Sequence, residues 1–219
     1  MQRAQPQPHD LIWLRDPAAF VATGGVPDWA DADWLAQAPV VVRRDCREGG
    51  RIPVGLRGRQ RAQRHAAWLD ADQCASVISP FEIAGQGFWR MHPRRDEIPA
   101  LHALDRIAAQ LGMLHLPWGI TGAVGFTLAS GIDVLHAQSD IDLLIAAPEP
   151  LSQAIMDALD ALLDTADVRL DIQIATPHGA FALRERLRTM GHARGRVLLK
   201  TDAGPILSDD PWQAPWPRC

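Results

Sequence analysis

Downstream of Pro99 the apolar positions alternate between two periods. Leu101, Leu104, Ala108 and Leu111 follow the helical spacing behind a proline suited to a first turn, which predicts an amphipathic helix. Asp140 to Ala146 then reads as a strand, in which Asp140 and Asp142 leave one side and Ile141 and Leu143 the other. Leu151, Ile155, Leu159 and Leu162 predict a second helix. Val168, Leu170, Ile172 and Ile174, interleaved with Arg169, Asp171 and Gln173, predict a second strand. Ala180, Leu183 and Leu187 suggest a third helix, and Val197 to Leu199 a last strand. Strands interleaved with helices predict an α/β (α+β) fold, a mixed sheet flanked by helices.

The first third reads differently. Pro39 to Val42 and Ile52 to Leu56 are short apolar pieces among turns, as in a small sheet, and Gln60 to Leu69 is expected as a helix with Arg61 and Arg64 on one face. Ile83 to Pro99 holds Gly85, Gly87, Pro93 and Pro99 beside four consecutive charges, the composition of a connector. The expected division is therefore a smaller basic N-terminal domain over 1–95 and a catalytic domain over 96–219.

Charge sharpens that division. The chain of 219 residues carries 22 basic and 26 acidic side chains, a net charge of -4, which argues against a nucleic-acid coat. Yet eight arginines, Arg43, Arg44, Arg47, Arg51, Arg57, Arg59, Arg61 and Arg64, fall between Val40 and His65 against only Asp45 and Glu48. A local basic patch of this kind suits phosphates or an acidic protein. The three cysteines are odd in number and widely spaced, so neither a zinc site nor a disulfide framework is expected. No apolar run suits a signal peptide or a membrane span, and the expected address is the cytoplasm.

Candidate chemistry centres on carboxylates. Asp140 and Asp142 share one strand face and Asp171 offers a third acid from a second strand; such close like charges are unfavourable unless a proton or a cation relieves them, and a hard divalent ion such as Mg²⁺ suits these oxygens. Upstream, Trp118 to Phe126 carries Gly119, Gly122 and Gly125, small residues where backbone amides can approach a phosphate. Lys200, the sole lysine, follows an apolar strand and could meet a phosphate as a point charge.

A hydrophobic residue, glycine, a spacer, D-x-D and a later third acid is an order that resembles the nucleotidyltransferase superfamily related to polymerase beta. Ala123 stands where that pattern has Gly or Ser. A closer resemblance covers most of the chain: Thr121-Gly122-x-Val124-Gly125-Phe126, Ser139-Asp140-x-Asp142-Leu143-Leu144, His9 to Leu14, Pro39 to Arg44, Ile52 to Gly58, Asp171 to Gln173 and Val197 to Thr201. These strings resemble the malonate decarboxylase holo-acyl-carrier-protein synthases, also called phosphoribosyl-dephospho-CoA transferases. The resemblance implies transfer of a prosthetic group from 2′-(5″-triphosphoribosyl)-3′-dephospho-CoA to a serine of an apo acyl-carrier-protein subunit, with pyrophosphate released. It implies Asp140, Asp142 and Asp171 as Mg²⁺ ligands, Asp171 as candidate base too, and Gly122, Ala123, Gly125 and Ser139 as substrate-binding residues; the basic patch and the sole lysine add Arg57 and Lys200 as expected substrate-binding cations. No nucleic acid or membrane partner is expected. Two other readings share these residues: a nucleotidyltransferase using ATP or another nucleoside triphosphate, and a non-catalytic assembly module of a decarboxylase.

Overall fold

The computed structural model describes residues 5–20, 22, 25–47, 49–60, 62–189 and 195–214. Arg61, Glu48 and Cys219 lie outside them. The first sheet is antiparallel, in the order β4-β3-β2-β1-β5, and is built from β1 (Leu11–Leu14), β2 (Val40–Val42), β3 (Ile52–Arg57), β4 (Arg64–Leu69) and β5 (Cys74–Ile78). Its two faces differ because side chains alternate. Ile12, Val40, Val42, Val54 and Leu56 are buried in one core with Trp34 and Leu35 of α1 (Ala32–Gln37). The other face carries Leu11, Val41, Gly55 and Arg57 toward the second half of the molecule.

The second sheet has the order β11-β10-β9-β8-β7-β6. It comprises β6 (Trp118–Ile120), β7 (Ile141–Ala146), β8 (Leu170–Thr176), β9 (Gly179–Ala182), β10 (Val197–Thr201) and β11 (Gly204–Ser208). Only β7 and β8 pair in parallel. A parallel pair needs a crossover, supplied by α5 (Gln153–Thr165), whose Met156, Leu159, Leu162 and Leu163 are buried. Those residues and α3 (Pro99–Met113) share a core with Ile141, Leu143, Ile145, Leu170, Ile172 and Ile174 on one face of the sheet. The opposite face, with Asp142, Asp171 and Gln173, is half-buried. The mixed sheet flanked by helices is thus as expected.

Several local expectations change. Gln60 to Leu69 is not a helix: β4 pairs with β3 from Ile52↔Leu69 to Arg57↔Arg64, closed by a turn in which Gly58 N–H donates to Gln63 O at 3.0 Å. The three-residue spacing of the arginines misleads because the strand's inter-strand bonds decide the conformation. The expected connector forms α2 (Pro80–Gln86), started by a reciprocal Ser79–Glu82 cap with Pro80 in the first turn, then a short 3₁₀ turn over Phe88–Met91. Buried Trp89 in that turn donates its indole N–H to Asp105. The glycine segment is strand β6 followed by α4 (Gly122–Ser130), Ala180 lies in β9 ahead of the short helix α6 (Leu183–Thr189), and β11 follows the strand expected to be last. Cys46 is disulfide-bonded, which the wide cysteine spacing does not signal. Among the described residues no helix is long and apolar enough to cross a membrane.

One side chain ties the two sheets together. Phe126 belongs to α4, yet it is 1% exposed and sits in the core of the first sheet, with Ile132 and Val134 packed against the same cluster. Its neighbour Val124 is buried in the other core. Phe126→Ala is expected to lower unfolding stability by about 3–5 kcal/mol, the range for a buried Phe truncated to Ala, as read by urea denaturation.

Candidate active site

Register brings the acids together. Asp142 of β7 and Asp171 of β8 are direct neighbours in the parallel ladder, on strands about 4.8 Å apart, and both face the open side of the sheet. Asp140 sits just ahead of β7, fixed where Ile141 N–H donates to Arg169 O at 2.9 Å. Burial pushes the Asp142 carboxyl up to about 6, and the charges of Asp140 and Asp171 push in the same direction; Arg57 and Arg169 oppose them.

The glycine segment docks on this cluster. Thr121 donates to the Asp142 backbone oxygen from its N–H at 2.9 Å and from its hydroxyl at 3.3 Å. Gly122 then turns with φ +64°, and a Cβ there would overlap the Asp142 carboxylate, so glycine is required twice over. Gly125 is required for a different reason: a Cβ would come within 2.6 Å of Ile120 O, so this glycine lets α4 pack against β6. Thr121 makes no side-chain cap, and the intrahelical ladder begins with Gly125 N–H to Thr121 O. Helix geometry thus leaves the amides of Gly122, Ala123 and Val124 for an anion beside the acids.

Across from α4, the basic face of the first sheet closes a cavity of about 410 Å³ whose lining includes Arg43, Arg57, Arg64, Thr121, Gly122 and Phe126. The Arg57 guanidinium carbon lies 5.0 Å from the centre of the Phe126 ring, and its buried Nε has no hydrogen-bond partner among the described residues. Burial lowers this guanidinium to about 10, Arg64 adds to the effect, and Asp142 counters it. Arg57 is therefore an underused cation within electrostatic reach of the acids.

The remaining expected residues are distributed unevenly. Arg43 pairs with Asp45 at 3.0 Å, Arg44 reaches Asp202 at 3.4 Å, and Arg59 stacks 4.3 Å over Trp34, outside the cavity lining. Ser139 is 7% exposed, and its hydroxyl accepts from His136 N–H at 3.0 Å, which shapes the loop into Asp140. Lys200 pairs with Ala180, which follows Ala175 across the ladder, so it shares the face of Asp171 but stands about 16 Å away by strand spacing. Sequence reasoning missed His9. This non-glycine residue has φ +77°, lines the cavity, and is held neutral, lowered to about 4, by burial with Arg44 and Lys200 nearby.

The model of the Phosphoribosyl-dephospho-CoA transferase MdcG C-terminal domain matches residues 89–211, and that of the N-terminal domain residues 7–80. The chain belongs to the phosphoribosyl-dephospho-CoA transferase family. Curated relatives of that name agree along nearly the whole length. The protein of Pseudomonas putida (strain GB-1) is 45% identical over 210 residues, 95% of this chain and 96% of the relative. That of Klebsiella pneumoniae (strain 342) is 41% identical over 207 residues, covering 94% and 96%. No solved structure matches. The chain is thus a transferase, and the glycine turn, the three acids and the cavity are its candidate machinery.

The raised Asp142 carboxyl carries a stability cost. Its folded-state pKa lies above the unfolded value of 3.8, so the folded chain binds the proton more tightly and stability falls as pH rises from 3.8 to about 6. Asp142→Asn is expected to stabilise the chelator-treated protein above pH 6, on the order of 2 kcal/mol after allowance for solvent screening, with the gain vanishing below pH 4. Denaturation midpoints at pH 4 and 7.5 check this. Gly122→Ala is expected to cost roughly 1–3 kcal/mol through backbone strain and displacement of Asp142, read in the same assay.

Proposed function

We propose that this transferase moves the phosphoribosyl-dephospho-CoA group from 2′-(5″-triphosphoribosyl)-3′-dephospho-CoA to a serine of the apo acyl-carrier-protein subunit of malonate decarboxylase, in the cytoplasm. The observation that carries this reading is the in-register Asp142–Asp171 pair beside the open N-terminus of α4, with Asp142 in electrostatic reach of Arg57 from the cavity lining. Acids, glycine turn and mixed sheet together support a place in the nucleotidyltransferase superfamily.

Asp140, Asp142 and Asp171 would hold Mg²⁺. The fit rests on mutually repelling hard-oxygen groups, with Asp142 held protonated up to about pH 6. Among the described residues no three such side chains form a ready-made metal cage. Mg²⁺ commonly takes one or two carboxylates and completes its shell with water and phosphate. When bound, Mg²⁺ supplies charge neutralisation for the triphosphate and its leaving pyrophosphate.

The protein's own groups do the rest. The amides of Gly122, Ala123 and Val124 receive phosphate oxygens, and Arg57, with Arg64 beside it, binds the donor's anionic charge. The acceptor serine Oγ forms a bond to the α-phosphorus while the bond to the bridging oxygen breaks, and pyrophosphate leaves with that electron pair. Asp171 takes the serine proton.

Intact-mass analysis of the apo carrier protein, incubated with enzyme, Mg²⁺ and donor, tests the reading. The expected result is a mass gain of one phosphoribosyl-dephospho-CoA group with equimolar pyrophosphate. No gain with this donor but modification from ATP or another nucleoside triphosphate would overturn it in favour of general nucleotidyl transfer; no transfer from any donor would leave an assembly module. In the same assay Asp171→Asn is expected to lower kcat by at least 100-fold with KM for the donor little changed, because it keeps the shape and loses the base.

A further inference from the structure

Gly55 has no structural reason to be glycine. Its φ lies outside the left-handed region, and a Cβ there would meet Arg43 Cδ at 3.5 Å and Val41 O at 3.9 Å, ordinary contacts. A glycine inside a strand gives up stability and packing, and one use of such a position is the close approach of a ligand.

Its neighbours define what approaches. Leu11↔Val41, Val41↔Gly55 and Gly55↔Ala66 are successive pairs, so Leu11, Val41, Gly55 and Ala66 form one row across four strands. All four line the cavity, and the row falls away in side-chain bulk toward Gly55 and Ala66. Two residues further along, roughly 6.6 Å by strand rise, Arg57 pairs with Arg64, and both line the same cavity. An apolar floor bordered at Gly55 by the stem of Arg43, one pleat repeat from a cationic row, is the complement of a planar ring joined to phosphate. The cavity, about 410 Å³, lies at the low end of the roughly 300–1,000 Å³ typical of small-molecule sites, so it suits one part of a large donor.

We infer that the Val41–Gly55–Ala66 floor seats the adenine ring of the dephospho-CoA donor, with the attached phosphate on Arg57 and Arg64. The inference rests on the donor proposed above and adds where its base lies. The pantetheine arm, a flexible chain of amides without a ring, has no flat apolar face to lay on this floor.

Calorimetric titration of the full-length protein with dephospho-CoA, adenosine 5′-monophosphate, 4′-phosphopantetheine and pyrophosphate tests this. Gly55→Val is expected to weaken dephospho-CoA and adenosine monophosphate at least tenfold, with pyrophosphate within twofold of wild type and an unchanged or higher thermal midpoint. Should Gly55→Val fold poorly, Ala66→Val must give the same pattern. Unchanged adenosine monophosphate affinity, absent binding of that nucleotide to the wild type, or an equal loss of pyrophosphate binding would each overturn the floor. Selective loss of 4′-phosphopantetheine would hand it to the pantetheine arm and overturn it equally. The donor proposal fails separately: wild-type protein that binds these nucleotides through Gly55 but modifies no carrier protein leaves the floor standing and removes the transfer reading.

Discussion

Three carboxylates held together against their own repulsion are the constraint around which the molecule is organised. Parallel pairing of β7 with β8 sets Asp142 directly beside Asp171, and that pairing exists only because α5 carries the chain back across the sheet. Left alone, the arrangement is costly: burial above all, and then the charges of Asp140 and Asp171, push the Asp142 carboxyl up. Its relief has to come from cations, and the molecule offers one from within: the half-buried guanidinium of Arg57 on the first sheet.

The first sheet is therefore more than an appended lobe. One of its faces makes an ordinary core with α1, whereas the other presents small residues and arginines to the glycine turn. Positive charge here is concentrated by register rather than by number, since Arg57 and Arg64 are cross-strand partners that both line the cavity, while Arg44 and Arg59 lie outside its lining. Positive charge facing the cavity, in a chain of negative net charge, is thus concentrated on one β-hairpin.

Elements with a single buried face were legible in the sequence. β7, β8, α3 and α5 each have a wet side and a dry side, so their periods show. The elements misread share the opposite property. In α4, Val124 enters one core and Phe126 the other, which erases any polar stripe, and the three residues of β6 are too few to display a period. In β4, Ala66 faces the cavity with a small apolar side chain where alternation would place a polar one. The three acids could be named from spacing and resemblance; that they face Arg57, far off in sequence, could not. The start of α2 was written plainly in Ser79, Pro80 and Glu82, and the neighbouring glycines masked it.

Phe126 also governs how the cleft can move. A clam-shell opening of the two sheets would have to withdraw this ring from the first core, at a cost comparable to emptying its site altogether. The helix that begins with the glycine turn is, by the same residue, bolted to the arginine-bearing sheet. The slot between helix and sheet therefore keeps a nearly fixed width, and whatever it takes up has to fit without a lobe swinging open.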